Sequence, residues 1–187
     1  MLKHYMLDIE TLGLEVGSVV LQVAMRQFLS EDEDGKYVVD YGDAPYLYKV
    51  DVDLQIAEGA TTNIDTIRWW LQTDAQKLQK MLDRRGAVDP LLCASVFNHH
   101  IDWQNAVVWA RDPDFDCTHM IHFCATYLKE EPKLWHFAAQ RSHRTLLDLA
   151  GVKHVPAQNA HDALEDVDAQ IESAIRALKV LCPNKFT

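Results

Sequence analysis

The feature that most restricts this chain is an apolar strand near its start that runs into two carboxylates, Met6-Leu7-Asp8-Ile9-Glu10-Thr11-Leu12-Gly13. Side chains alternate along a strand, so Asp8 and Glu10 share a face, roughly 6 to 7 Å apart. Tyr5, Leu7 and Ile9 occupy the other face, and Met6 precedes the carboxylates on theirs. A strand apolar on both sides is usually central in a sheet covered by helices. Two like charges at its end are costly unless a cation lies between them, and oxygen ligands suit a hard divalent ion. An Asp-x-Glu triplet arises by chance about once in a chain this acidic, so its meaning depends on what joins it.

The 187 residues, 48% hydrophobic, suit one compact domain spanning 1–187, with 63–104 as the candidate helical insertion. There is no run of 18 apolar residues and no charged start followed by a long apolar stretch, so a soluble protein with no membrane segment and no cleaved signal is expected. Four cysteines, at 93, 117, 124 and 182, form no disulfide pattern, which points to a reducing, cytoplasmic setting. The formal charge of −10 argues against a broad basic face for nucleic acid. It leaves room for a protein that grips a few phosphates through metal ions and local cations, with a shallow salt dependence.

Beyond Gly17, residues 18–28 read as a second strand, 31–35 as an acidic turn, and 36–40 as a third strand, giving a hairpin beside the first. Residues 45–50 add or extend an edge strand. From Asn63 the apolar period becomes helical until Arg84-Arg85-Gly86, and 91–103 reads as another helix. Trp69 and Trp70 could stack bases, but adjacent tryptophans on a helix more often pack a core with one ring partly exposed.

Residues 106–110 are a short, wholly apolar strand. Asp112 and Pro113 then open a helix as N-cap and first position, with Asp116 in its first turns. Ligands gather at such strand ends in open sheets. On that helix Cys117, His119, His122 and Cys124 suggest zinc, yet the two histidines point nearly opposite to the cysteines, so the four cannot converge on one ion. Residues 134–137 read as a fifth strand or an extended segment, and a short helix through 145–149 closes at Gly151. Arg141, His143 and Arg144, just before it, are either phosphate contacts or solvated charge. The last helix runs from about 162 to 181, opened by Asp162 with Glu165 in the capping-box position and ended by Pro183. His161 lies just outside it.

Three pieces thus recur in order: Asp-x-Glu on a central strand, an aspartate after another strand, and His161-Asp162-Ala163-Leu164-Glu165-Asp166 opening the final helix. A His-x-Ala-x-x-Asp string arises by chance in something like one in ten such chains. The sequence resembles the DEDDh group of 3'-to-5' exonucleases, and more narrowly its small exoribonuclease-like branch. The likeness rests on Asp-Ile-Glu-Thr-Leu-Gly, Thr66-Ile67-Arg68-Trp69-Trp70, Val108-Trp109 before Phe115-Asp116, Arg144-Thr145-Leu146 and the closing His-x-Ala-x-x-Asp.

The resemblance implies an α/β ribonuclease H-like fold, a mixed five-stranded sheet flanked by helices. It implies that Asp8, Glu10, Asp116 and Asp166 hold two Mg²⁺ or Mn²⁺ ions, that His161 is the general base, and that Thr11, Leu12 and Arg144 contact substrate. Two ions roughly 3.5 to 4 Å apart stabilise both the attacking and the leaving oxygen of a phosphodiester displacement. An imidazole, ordinarily titrating near pH 6.5, is mostly neutral at pH 8 and can accept a proton. The implied substrate is RNA or single-stranded DNA with a free 3' end, and the product 5'-mononucleotides; a homodimer is allowed. Asp112 stands where proofreading relatives often have Asn, which puts that substrate contact in doubt. Asp114 and Asp168 fall outside the matching positions. The alternatives are a DNA-preferring or proofreading-type exonuclease and a non-catalytic nucleic-acid-binding module on the same fold.

Overall fold

The strand with the two carboxylates, β1 (Leu2–Thr11), lies at the centre of a mixed sheet. The computed structural model describes residues 1–186. β1 pairs antiparallel with β2 (Val20–Glu31) and parallel with β5 (Ala106–Ala110). β3 (Tyr37–Val39) and β4 (Tyr46–Lys49) share the far edge of β2, and β6 (Gln140–Ser142) pairs parallel with β5. Among the described residues the sheet therefore has six strands rather than five, because the 45–50 segment forms its own edge strand.

Among the described residues six helices flank the sheet: α1 (Val52–Ala57), α2 (Ile64–Leu82), α3 (Pro90–His100), α4 (Pro113–Leu128), α5 (His143–Ala150) and α6 (Ala163–Leu181). On one face Leu7, Ile9 and Val108 pack against Phe97 of α3 and against Cys117 and Met120 of α4. On the other, Met6 and Trp109 pack against Leu146 of α5 and Val167, Ile171 and Ala174 of α6. Met6 and Leu7, neighbours pointing to opposite layers, are both fully buried. Burial of such side chains stabilises the fold by roughly 1.5 to 3 kcal/mol each, which is why β1 cannot shift register by one residue. A third cluster joins Leu12, Val19 and Leu21 to Trp70, Leu78 and Met81 of α2.

Local sequence explains most boundaries. Asn63 caps α2 by accepting from the N–H groups of Asp65 and Thr66, and Asp89 caps α3 ahead of Pro90. α3 stops at His100, and Trp103–Asn105 forms a separate 3-10 turn instead of continuing the helix. Gly151 ends α5 in the left-handed conformation that costs glycine least. Asp162 caps α6 by accepting from the Glu165 N–H, but the Glu165 carboxylate turns to Asn159, so the expected capping box is only half made.

Two further expectations are corrected. The final strand is Gln140–Ser142, not 134–137: Trp135 leaves the sheet to bury against Trp103, 4.9 Å between ring centres, and the polar segment after it pairs with β5 through backbone alone. Asp112 occupies the N-cap position of α4 but makes no side-chain cap; its carboxylate pairs with Arg144 at 2.5 Å.

Cys93, Cys117 and Cys124 are unpaired and buried, and burial pushes their thiols well up; Cys182 at the end of α6 is also unpaired and partly exposed. Among the described residues no helix is long and apolar enough to cross a membrane.

Candidate active site

The site exists because β1 outruns its neighbour. Pairing with β5 ends at Leu7 opposite Ala110, so Asp8 to Thr11 extend past the parallel edge. On the other side the β1–β2 register slips between Glu10 and Thr11, a bulge of the kind that re-aims side chains beside active sites. Into the corner left by β5 comes Asp116, from the first turn of α4, whose Oδ1 accepts from the unpaired Ile9 N–H at 3.3 Å. Its Oδ2 accepts from the Asp112 N–H at 3.4 Å. From the opposite layer, α6 begins over the same strand end and supplies Asp166.

Glu10, His161 and Asp166 form the tightest group, with one ligand atom of each within 4.8 Å of the others. His161 Nδ1 stands 4.0 Å from Glu10 Oε1, and its backbone N–H donates to Asp166 Oδ2 at 2.7 Å. Its ring meets the edges of Trp69 and Trp70, 4.8 and 5.7 Å between centres. Asp8 lies outside that group and accepts from Gln170 Nε2 at 2.8 Å.

The four carboxylates share one electrostatic field. Burial, then repulsion from Asp116, Glu10 and Asp166, pushes Asp8 well above the carboxylate range. Burial and the charges of Asp166 and Asp116 push Glu10 up to about 8. Burial pushes Asp116 up to about 7 against its backbone hydrogen bonds, and it raises Asp166 as well. Protein groups alone do not balance this charge. Gln170 Oε1, beside Asp8, is buried with no hydrogen-bond partner. All-oxygen ligands, excess negative charge and an orphaned buried acceptor together fit hard divalent cations.

Of the other residues singled out in the sequence, Thr11 is buried, its hydroxyl donating to the Gly13 carbonyl and its own carbonyl accepting from Trp70 Nε1. Leu12, expected against substrate, is 4% exposed in the core with α2, and its N–H and carbonyl bond Val19 and Asn63. Its side chain is therefore packed in the core rather than turned to substrate. Arg144 is exposed and joined to Asp112. His143 is buried and bonded to Ser173 Oγ at 2.9 Å, so it holds α5 to α6 rather than a phosphate. Asp168 pairs with Arg26 at 2.7 Å. His119 packs between the carbonyls of Phe115 and Glu15 while Cys117 and Cys124 stay in the core.

Two residues were missed or undervalued. Gln170 lies one turn after Asp166 on the buried face of α6, and a glutamine among Val167, Ile171 and Ala174 is the signal that could have found it. Trp69 is 43% exposed and, with Glu10, Leu14, Thr66 and Phe115, lines a cleft of about 570 Å³ beside the carboxylates.

Among solved structures, exonuclease I from Methylocaldum szegediense aligns with a TM-score of 0.62 at 15% identity, covering 98% of this chain and 41% of its own. Escherichia coli exonuclease I bound to an oligonucleotide gives 0.66 at 13% identity, covering 98% and 41%. Its zinc-bound complex with single-stranded DNA gives 0.65 at 15%, covering 98% and 42%. At such identities the likeness is one of fold, and the chain spans about two-fifths of the length of these proteins. No curated protein sequence matches. The model of one family, described as the 3'-5' exoribonuclease Rv2179c-like domain, matches residues 3–177, nearly the whole length, and the chain belongs to that family.

Proposed function

We propose that this chain is a divalent-metal-dependent 3'-to-5' exonuclease that removes 5'-mononucleotides one at a time from the free 3' end of RNA. The observation that carries this is the meeting of Asp8, Glu10, Asp116 and Asp166 at one strand end, with His161 4.0 Å from Glu10. The exoribonuclease family to which the chain belongs supports the reaction and favours RNA.

Asp8, Glu10, Asp116 and Asp166 would hold two Mg²⁺ or Mn²⁺ ions. Bound there, the pair supplies charge stabilisation for the attacking and leaving oxygens of the ester. His161 accepts the proton of the attacking water at Nδ1, the nitrogen facing the carboxylates, and Asp166 keeps the imidazole in place through the His161 N–H. Gln170 orients Asp8. The exposed ring of Trp69 offers a stacking surface to the terminal base, an interaction indifferent to sequence. Exonuclease I has been seen in complex with single-stranded DNA, which favours a single-stranded substrate here too. Four unpaired cysteines favour work in the cytoplasm.

The test is to incubate matched RNA and DNA oligonucleotides, labelled at the 5' end, with protein and Mg²⁺ or Mn²⁺. EDTA and Asp8→Asn serve as controls. Stepwise shortening from the 3' end with mononucleotide release, faster on RNA and absent in both controls, is expected. Binding with no release from either polymer would overturn the assignment, and equal release by Asp8→Asn would trace the activity to a contaminant.

A further inference from the structure

We infer that Lys77, on α2, is a positioning residue for His161, clamping the backbone just before it and so holding the imidazole against Glu10 and Asp166. This rests on the exonuclease function proposed above.

The segment from Gly151 to Asp162 contains no helix or strand, yet it must deliver His161 to a defined place. His161 has φ of +65°, a left-handed conformation that residues other than glycine adopt only when their surroundings hold them there. From its own helix the segment is tied by two carboxylates: Glu165 accepts from Asn159 N–H at 2.9 Å, and Asp166 from His161 N–H. Both ties act on donors. The carbonyls of Asn159 and Ala160 are held from the other side, by Lys77 Nζ at 3.2 and 2.6 Å. An ammonium has three donors, so one side chain serves both carbonyls.

Lys77 reaches them because of how α2 is built. It follows Trp70, whose ring meets the edge of the imidazole, by seven residues in the same element. Asp74 leaves helical geometry at φ −153° and ψ 80°, and its carboxylate recaps the helix by accepting from the Lys77 N–H at 2.8 Å. The second half of α2 therefore starts from a fixed point directly before the clamp. Lys77 also lies near enough to Glu10 and Asp166 to oppose their repulsion, so the clamp adds positive charge where the corner lacks it. Trp69, Trp70 and Lys77 together make α2 the wall against which the His161 segment is set.

The experiment compares wild type, Lys77→Met and Lys77→Arg in two ways. Backbone hydrogen exchange is read on metal-free protein, at Asn159, His161 and Asp162. In Lys77→Met these amides should exchange at least about tenfold faster while the core strands keep their protection. With Mg²⁺ and an RNA oligonucleotide, kcat should fall about 10- to 100-fold with KM changed less than about threefold, the signature of a displaced catalytic group. Lys77→Arg, which keeps both the charge and the donors, should recover most of both. Should Lys77→Met lose protection throughout the protein, Lys77→Gln is read in its place. Unchanged exchange at 159–162 in the variant that folds overturns the clamp, as does a lost kcat that Lys77→Arg does not recover. A wild type that releases no mononucleotide defeats the exonuclease assignment, while the exchange comparison still decides the clamp.

Discussion

Replacing Glu10 by Gln should stabilise the metal-free protein at pH 8 and remove its response to magnesium. Glu10 is pushed from an ordinary 4.5 up to about 8 by burial and by Asp166 and Asp116. Between those values the folded state binds more protons than the unfolded one. The contribution of this group is therefore fully present below about pH 4.5 and is lost as the pH rises through 8. At about 1.4 kcal/mol per unit the whole displacement corresponds to some 5 kcal/mol. Because the proton is shared among neighbouring carboxylates, about 2 to 4 kcal/mol falls to Glu10 alone. In a chain of this size that is about 5 to 15 °C in Tm. Glutamine keeps the shape and removes the charge. Thermal unfolding in EDTA should give nearly equal Tm values at pH 5 and a higher Tm for the variant at pH 8. Added MgCl₂ should then raise the wild type, by about 2.7 kcal/mol at a hundredfold excess over Kd, and leave the variant nearly flat. Parallel decline of both proteins from pH 5 to 8, or a variant less stable at pH 8, would refute the account of a site strained by its own charge.

Other outcomes are expected from the same geometry. Asp8→Asn should lower kcat at least about a thousandfold without loss of fold, checked by mononucleotide release beside circular dichroism. Trp69→Ala should lower kcat/KM about 5- to 100-fold, the worth of one stacked base, with little change in Tm; Trp70→Ala, at a ring only 1% exposed, should cost about 3 to 5 kcal/mol in denaturant unfolding. Burial holds His143 down at about 4. The unfolded state thus binds the extra proton between about pH 6.5 and 4, so the stability this residue gives falls with pH across that window. The stability difference between wild type and His143→Leu should accordingly shrink by up to about 3 kcal/mol from pH 7 to 4, measured by urea unfolding.

What could be read in the sequence was whatever repeats or caps. β1 and β5 are apolar on both faces, α6 has a long apolar stripe, and Asn63, Asp89, Asp162 and Gly151 mark helix ends by rules that act within a few residues. What escaped depends on partners distant in the chain. α1 is six residues long with no apolar period, and it is held by Gln55, whose buried amide bonds the Val20 N–H and carbonyl at 2.9 and 2.7 Å. β6 is polar, so hydropathy favoured the nearby Leu134 and Trp135, which pack elsewhere. Asp112 had the right place for a cap, yet Arg144, 32 residues on, took its carboxylate. In the candidate site the acidic residues and His161 stood out by motif, but Gln170 and Lys77 act through contacts 162 and 82 or more positions away. Leu12 sits beside the motif in sequence and in the core in space.

The cysteines have a practical consequence. Thiolate is the reactive form, and three of the four thiols are buried where it scarcely forms, so a maleimide dye near neutral pH should attach to Cys182 alone. That position follows Asp166 by sixteen residues along α6, about 24 Å of helix, at the opposite end from the carboxylates. Cys182 thus supplies an attachment point from which energy transfer to a labelled strand could follow its arrival, with no change to the carboxylate corner.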